Sequence, residues 1–348
     1  MRYYYLFCLS IAILSAACNE SQKPEPVNYL TIEGQAQGTY YRITYADSLN
    51  RDFKADFETF FDLLNQEVST YEENSLISTF NRSEADTFVL PSGSVYFMAN
   101  LEKSKQVFRA SKGAFDPTVM PLVSYWGFGP KPKQISSVDS NTVDSLLQFV
   151  GMEKLTWKRN PDGSVVLKKA LPGIQLDFNA IAQGYAVDEI GRMLEAKGVV
   201  NYLIDIGGEV LARGKNPRGQ AWKIGINAPR EDGKADEILA AVPLENRALA
   251  TSGNYRKFYE VQGVKFSHTI QPKTGFPERN ALLSASVFAP DAMTADAYAT
   301  ACMVLGPQKA LELIRQHPEL EAYLVIGGSK GNMEVRYSEG LKALFEKK

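Results

Sequence analysis

Apolar residues recur every three to four positions over residues 53–68, where Phe57, Phe60, Phe61, Leu64 and Val68 fall on one face, and again over 95–111, closed by Gly113. The same period predicts helices over 139–150, 180–196, 294–305 and 308–316. Alternating or continuous apolar runs predict strands at 29–32, 40–45, 175–178, 202–206, 209–213, 222–226, 248–250, 258–261, 265–270, 283–288 and 322–326. A hairpin pairs 155–157 with 165–167 around Pro161-Asp162-Gly163. The polar run 70–82 is assigned no element, and the Gly/Pro/aromatic run 113–130 is too irregular for a long helix. Strands and helices interleave without the βαβ rhythm of a doubly wound sheet. The pattern predicts an α+β fold of mixed sheets and interleaved helices, built as one body or as two lobes.

Residues 1–18 stand apart from this pattern. Arg2 precedes an apolar stretch, 3–14, too short to span a bilayer, and Ser15-Ala16-Ala17 leads into Cys18. Small residues before a cysteine resemble a lipoprotein signal, with Cys18 lipidated and the polar, Pro-containing segment 19–28 as a tether. An ordinary secretory signal is the alternative, and Ser15 stands where such a box usually has Leu. The expectation is an exported protein, membrane-anchored through lipid and facing the periplasm, with residues 29–348 as one domain. Cys8 leaves with the signal, so Cys302 is the one cysteine of the body and is expected to be a small buried hydrophobe without a disulfide.

The chain has 348 residues, 45% of them hydrophobic, which suffices for a large core. Its 38 basic and 40 acidic residues are dispersed, so nucleic acid is not an expected partner. No GxGxxG, GxxxxGK[ST] or GxSxG motif occurs, and no Cys–His ligand cluster.

Three places could carry chemistry. Asp296 and Thr300 are four apart on one helix face, where a carboxylate and a hydroxyl, with a backbone carbonyl, suit magnesium. They fit equally a first-turn acid favoured by the helix dipole beside a packed threonine. The junction from Leu176 to Tyr185 brings Asp177 to a helix start, with Asn179 as its expected cap; free amides there suit a diphosphate, or simply begin a capped helix. His268, one of two histidines, precedes the turn Gln271-Pro272-Lys273-Thr274-Gly275. It is a general base toward a hydroxyl or a core histidine sharing a strand face with Phe266 and Ile270. The aromatics 125–130 form a stacking surface or a packed loop.

In order along the chain, GTYYRI, STYEENSLISTFN, GAFDPTVMPLV with WGFGP, LDFNAIAQGYAVD, YLIDIGGEV, WKIGI, ATSGNYRKF, SHTIQPKTG and TADAYATACMVLG resemble the ApbE-type FAD:protein FMN transferases over residues 34–306. The resemblance implies that fold and a magnesium-dependent enzyme that moves the FMN half of FAD to a Thr or Ser hydroxyl of a target protein, releasing AMP. It implies Asp296, Thr300 and the Ala180 carbonyl as magnesium ligands and His268 as the base near the acceptor. Phe80, Asn81, Asp116 and Asp177 are implied around the flavin or its ribityl chain, Gln183 facing the diphosphate, Ile270 on the nucleotide, and Ser252 and Gly253 at the pocket floor. Exported subunits of respiratory redox complexes or flavodomains are the implied acceptors. An FAD diphosphatase and a non-catalytic FAD-binding lipoprotein are the rival readings. Three glutamines depart from the family pattern: Gln271 for Asp, Gln183 for Lys and Gln37 for Met.

Overall fold

The computed structural model describes residues 28–345 apart from 134, 136, 230–237, 255–257, 262–263 and 329–331. Residues 1–27, which hold the expected signal, Cys18 and most of the expected tether, lie outside the described residues. In chain order come strands β1 (Tyr29–Ala36) and β2 (Thr39–Ala46), helices α1 (Lys54–Val68) and α2 (Leu76–Arg82), strand β3 (Thr87–Leu90) and helix α3 (Val95–Ala110). Helices α4 (Met120–Tyr125) and α5 (Ser140–Leu147) precede strands β4 (Leu155–Arg159) and β5 (Val165–Lys169), then helix α6 (Ala182–Ala196). Strands β6 (Tyr202–Ile206), β7 (Glu209–Arg213), β8 (Trp222–Asn227), β9 (Ile238–Leu244), β10 (Ala248–Gly253), β11 (Phe258–Val261), β12 (Val264–Ser267) and β13 (Leu282–Ala289) follow. The chain continues through helix α7 (Ala292–Arg315), strands β14 (Glu321–Gly327) and β15 (Met333–Tyr337) and helix α8 (Lys342–Phe345).

Eight strands make the main sheet in the order β1-β2-β6-β7-β10-β13-β14-β15, each neighbouring pair antiparallel. Alternation along the strands sorts side chains between two cores. Leu211, Ala248, Ala250, Val287 and Leu324 join the core under α6 and α7, whereas Val210, Ala212, Leu249, Phe288 and Val325 pack on the opposite face against Trp222, Ile226, Val242 and Leu244 of the β8–β9 hairpin. Each large apolar side chain fully buried this way contributes roughly 1.5–3 kcal/mol. Strands β3, β5 and β4 form a separate antiparallel sheet beside α2 and α3. The α+β class and its mixed sheets follow the sequence expectation.

Four local expectations are corrected. Residues 175–178 form no strand, because the Asn81 side chain holds both backbone groups of Leu176 at 2.7 and 2.8 Å and the Asp177 amide bonds the Pro117 carbonyl. Asn179 does not cap α6; its amide is taken by the Asp177 carboxylate, and the helix starts at Ala182 with Ile181 in the cap position. The run 70–82 contains α2, capped by Ser75, whose hydroxyl accepts from the Ser78 amide, with Ile77 and Phe80 buried. The strand expected to reach residue 270 ends at Ser267, and beyond it Thr269 and Ile270 pair locally with Glu278 and Pro277. The expected division between 305 and 308 is present as a break in α7, where Gly306 has φ 74°. Cys302 is buried, and burial pushes its thiol up to about 12.

Candidate active site at the crossing of helices α6 and α7

The site is built on two helix N-termini that exchange carboxylates. Asp188 of α6 accepts the Ala292 and Met293 amides at the start of α7, at 2.7 and 2.9 Å. Asp296 of α7 accepts the Gly184 amide in the first turn of α6 at 3.1 Å. Each anion therefore satisfies donors that a helix cannot satisfy internally, and each sits at the positive end of a helix dipole. Asp291 adds its own cap, accepting the Thr294 amide, and Lys103 donates to the Thr294 hydroxyl at 2.8 Å.

This exchange frees a third oxygen. A regular helix gives the N–H of residue 184 to the carbonyl of residue 180. Here Gly184 gives it to Asp296, and among the described residues no amide bonds the Ala180 carbonyl. Thr300, one turn beyond Asp296, holds its hydroxyl 3.2 Å from that of Ser252 at the end of β10. Carboxylate, hydroxyl and carbonyl oxygens form a hard-cation donor set. Among the described residues no three His, Cys, Asp or Glu side chains cluster as a metal centre, so a cation here draws on mixed oxygens.

Glu209, at the start of β7, is a residue the sequence reading passed over. It is 7% exposed, and its Oε2 is buried without a hydrogen-bond partner. Burial first, then the negative charge of Asp296, pushes its carboxyl well up; burial raises that of Asp296 as well, against the Gly184 amide. Asp188 is pushed up to about 7 by burial and by Asp291. The signal for Glu209 lay within YLIDIGGEV, but nothing in that pattern distinguishes an inward-facing Glu from a strand-end surface charge.

The β1–β2 and β6–β7 turns meet the start of α6 here. Gly207 in the β6–β7 turn has φ 65°, and a Cβ added to it would lie 2.7 Å from Thr39 and 3.3 Å from Gln183 Nε2. Gln37 donates to the Ala182 carbonyl at 3.4 Å. The structure thus brings Gln183, Gln37 and the α6 N-terminus together beside Asp296. Gly253 ends β10, next to Ser252.

Around Asp177 the picture is a supporting frame. Its half-buried carboxyl is pushed up to about 6 by burial, against the Asn179 amide. Tyr71, largely exposed, borders it closely enough for Asp177 to help raise its hydroxyl. Asn81 fixes Leu176, as described above. Phe80 is fully buried against Phe88 and Phe97, and its carbonyl accepts from the buried Lys169 ammonium at 2.8 Å. It therefore backs the site rather than lining it. Asp116 is likewise committed to protein, accepting the Thr118 amide and hydroxyl and the Met152 amide; burial raises its carboxyl to about 6.

His268 is half-buried, its ring edge-on to Phe128 with centroids 6.3 Å apart. The following turn is anchored by Trp126, fully buried, whose indole N–H donates to the Gly275 carbonyl at 2.7 Å. Gly275 has φ 75°, and a Cβ there would lie 2.6 Å from Val143. The aromatic run 125–130 is thus a packed loop that positions the histidine turn. Gln271 closes that turn through its backbone and donates to Glu278 at 3.1 Å. Ile270 is buried beneath it. A cavity of about 310 Å3 lies at this turn between α3 and α7, but Asp296, Thr300 and Asp177 do not line it.

The chain is similar to known proteins along most of its length. Residues 37–324 match the ApbE family. The FAD:protein FMN transferase of Haemophilus influenzae is 33% identical, covering 99% of this chain and 98% of that protein. The Escherichia coli K12 FAD:protein FMN transferase is also 33% identical, covering 91% and 90%. The crystal structure of the Pseudomonas stutzeri flavinyl transferase ApbE in its apo form superposes with a TM-score of 0.80 at 30% identity, over 92% of this chain and 97% of that one. The flavin transferase ApbE from Vibrio cholerae gives 0.81 at 28% identity, over 91% and 99%. With its family matched along most of its length and its fold shared with solved members, this chain belongs to the ApbE family.

Proposed function

We propose that the chain transfers the FMN half of FAD to a Thr or Ser hydroxyl of an acceptor protein and releases AMP, using a magnesium ion at the α6–α7 crossing. The observation that carries this reading is the bond from the Gly184 amide to Asp296, which sets Asp296, one turn before Thr300 on α7, at the start of α6 and leaves the Ala180 carbonyl without an amide donor among the described residues. Asp296, Thr300 and the Ala180 carbonyl would hold the ion, and the uncompensated acid charge around them fits a divalent cation. When bound, magnesium neutralises charge on the diphosphate. The remaining work belongs to the protein. Gln183 and the α6 N-terminus bind and orient the diphosphate. Asp177 and its Asn81-held segment position the flavin side. His268 takes the proton from the acceptor hydroxyl as its oxygen attacks the FMN-side phosphorus; the bond to the AMP oxygen breaks and AMP departs.

Relatives at 33% identity are FAD:protein FMN transferases, which supports the reaction class. Export, lipidation of Cys18 and an acceptor among exported respiratory subunits or flavodomains belong to the same proposal, supported by the signal-like residues 1–18. The test is mass spectrometry of an acceptor protein incubated with FAD and magnesium. The acceptor gains the mass of an FMN unit with the wild-type chain and not with Asp296→Asn. Free FMN released equally with and without acceptor would instead identify a diphosphatase.

A further inference from the structure

Glu209 and the proposed cation ligands occupy one face and one end of the main sheet. Along β7, Glu209 has the parity of Leu211, which packs under α6 and α7, and not of Val210, which faces the β8–β9 hairpin. The β7–β10 pairing ends at Val210 opposite Leu249, so Glu209 and Ala250 stand one step beyond it, toward Ser252. Ser252 shares the parity of Ala250 and bonds Thr300. On the other side, Gly207, two residues before Glu209, abuts Gln183, the neighbour of the Gly184 that binds Asp296.

The carboxylate so placed has an unpartnered Oε2, although Glu209 is 7% exposed. Among the described residues it makes no ion pair, and no Lys or Arg pairs with Asp296. Two buried acids without a cationic partner are strongly unfavourable unless a proton or a cation compensates them. An arginine or lysine would be the structural remedy, and among the described residues none pairs with either acid.

We propose that Glu209 belongs to the cation site, its free oxygen acting as a further anionic ligand for the divalent ion held by Asp296 and Thr300; this rests on the reading that such an ion binds there. Two carboxylates would then balance one divalent charge within the protein, and the α6 amides would remain for the diphosphate.

The test is titration of the full chain with Mn2+, followed by electron paramagnetic resonance of the free ion, for wild type, Glu209→Gln, Glu209→Asp and Asp296→Asn. Unfolding midpoints in EDTA serve as the fold control. Glu209→Gln is expected to weaken Mn2+ binding about tenfold or more, while unfolding in EDTA no earlier than wild type, because a buried uncompensated charge has been removed. Wild-type affinity in Glu209→Gln, with binding lost in Asp296→Asn, overturns the role of Glu209 and leaves the Asp296 site standing. No Mn2+ binding by wild type overturns both. If Glu209→Gln unfolds early, Glu209→Asp decides: affinity above that of the Gln variant supports the ligand role, and equal affinity overturns it.

Discussion

Asp296 accepts the Gly184 amide across the crossing of α6 and α7, and that contact depends on residue 184 having no side chain. A Cβ at Gly184 would lie 2.4 Å from the Ala292 carbonyl oxygen, a backbone atom that cannot swing away. Gly184→Ala is expected to destabilise the chain by about 1–3 kcal/mol through overpacking and to abolish FMN transfer even where the variant folds. Chemical denaturation and the acceptor mass assay check the two effects separately.

The reciprocal bond gives Asp188 a positioning role. Asp188→Asn keeps the shape but turns an amide NH2 toward the backbone donors of Ala292 or Met293. The expected cost is about 1–3 kcal/mol of stability. Mn2+ affinity should also fall without direct contact, since the start of α7 shifts relative to Gly184. Unchanged Mn2+ binding in a folded Asp188→Asn protein would separate the cap from the site.

Stability should depend on pH in a direction set by buried acids. Burial raises Asp116 to about 6 and Asp188 to about 7 from an ordinary 3.8. For an acid raised in the folded state, the unfolded chain ionises first. Stability is thus fully present below about pH 4 and is lost as pH rises toward 7. Thermal unfolding of the metal-free protein should give a lower midpoint at pH 7.5 than at pH 5.5. Added magnesium should raise the midpoint more at pH 7.5 than at pH 5.5, because it competes with protons for the Asp296 carboxylate, which burial raises to about 7.

Asn81 is expected to matter for placing Asp177 rather than for chemistry. Its side chain satisfies the Leu176 N–H and C=O together, so Asn81→Ala leaves both unpaired, at about 1–3 kcal/mol. Weakened FAD binding with Mn2+ affinity unchanged is the expected signature, read by flavin fluorescence and by Mn2+ titration.

His268→Ala is expected to lower acceptor flavinylation by about 10²–10⁴-fold, the usual worth of a general base, while FAD and Mn2+ binding persist. Its ring packs edge-on to Phe128, so Phe128→Ala should produce a smaller loss of the same kind. Equal flavinylation by His268→Ala and wild type would remove the base from this site.

The sequence by itself determined the periodic elements and the motif order. Phe57, Phe60, Phe61, Leu64 and Val68 all lie buried on α1, and the expected break before Pro307 is present at Gly306. These are local properties: a repeat of 3.6 or 2 residues and a glycine at positive φ need no distant partner. The spacing of Asp296 and Thr300 was equally legible, but their setting was not. Only the tertiary structure decided that Asp296 caps a helix 112 residues away, that Asn81 replaces a strand ladder at Leu176, and that Glu209 points inward with its Oε2 unpartnered. Hydrogen bonds between remote segments leave no period in the chain. An acid looks alike on a surface and in a core until the sheet's two faces are assigned, which required the packing of α6, α7 and the β8–β9 hairpin on opposite sides of the same strands.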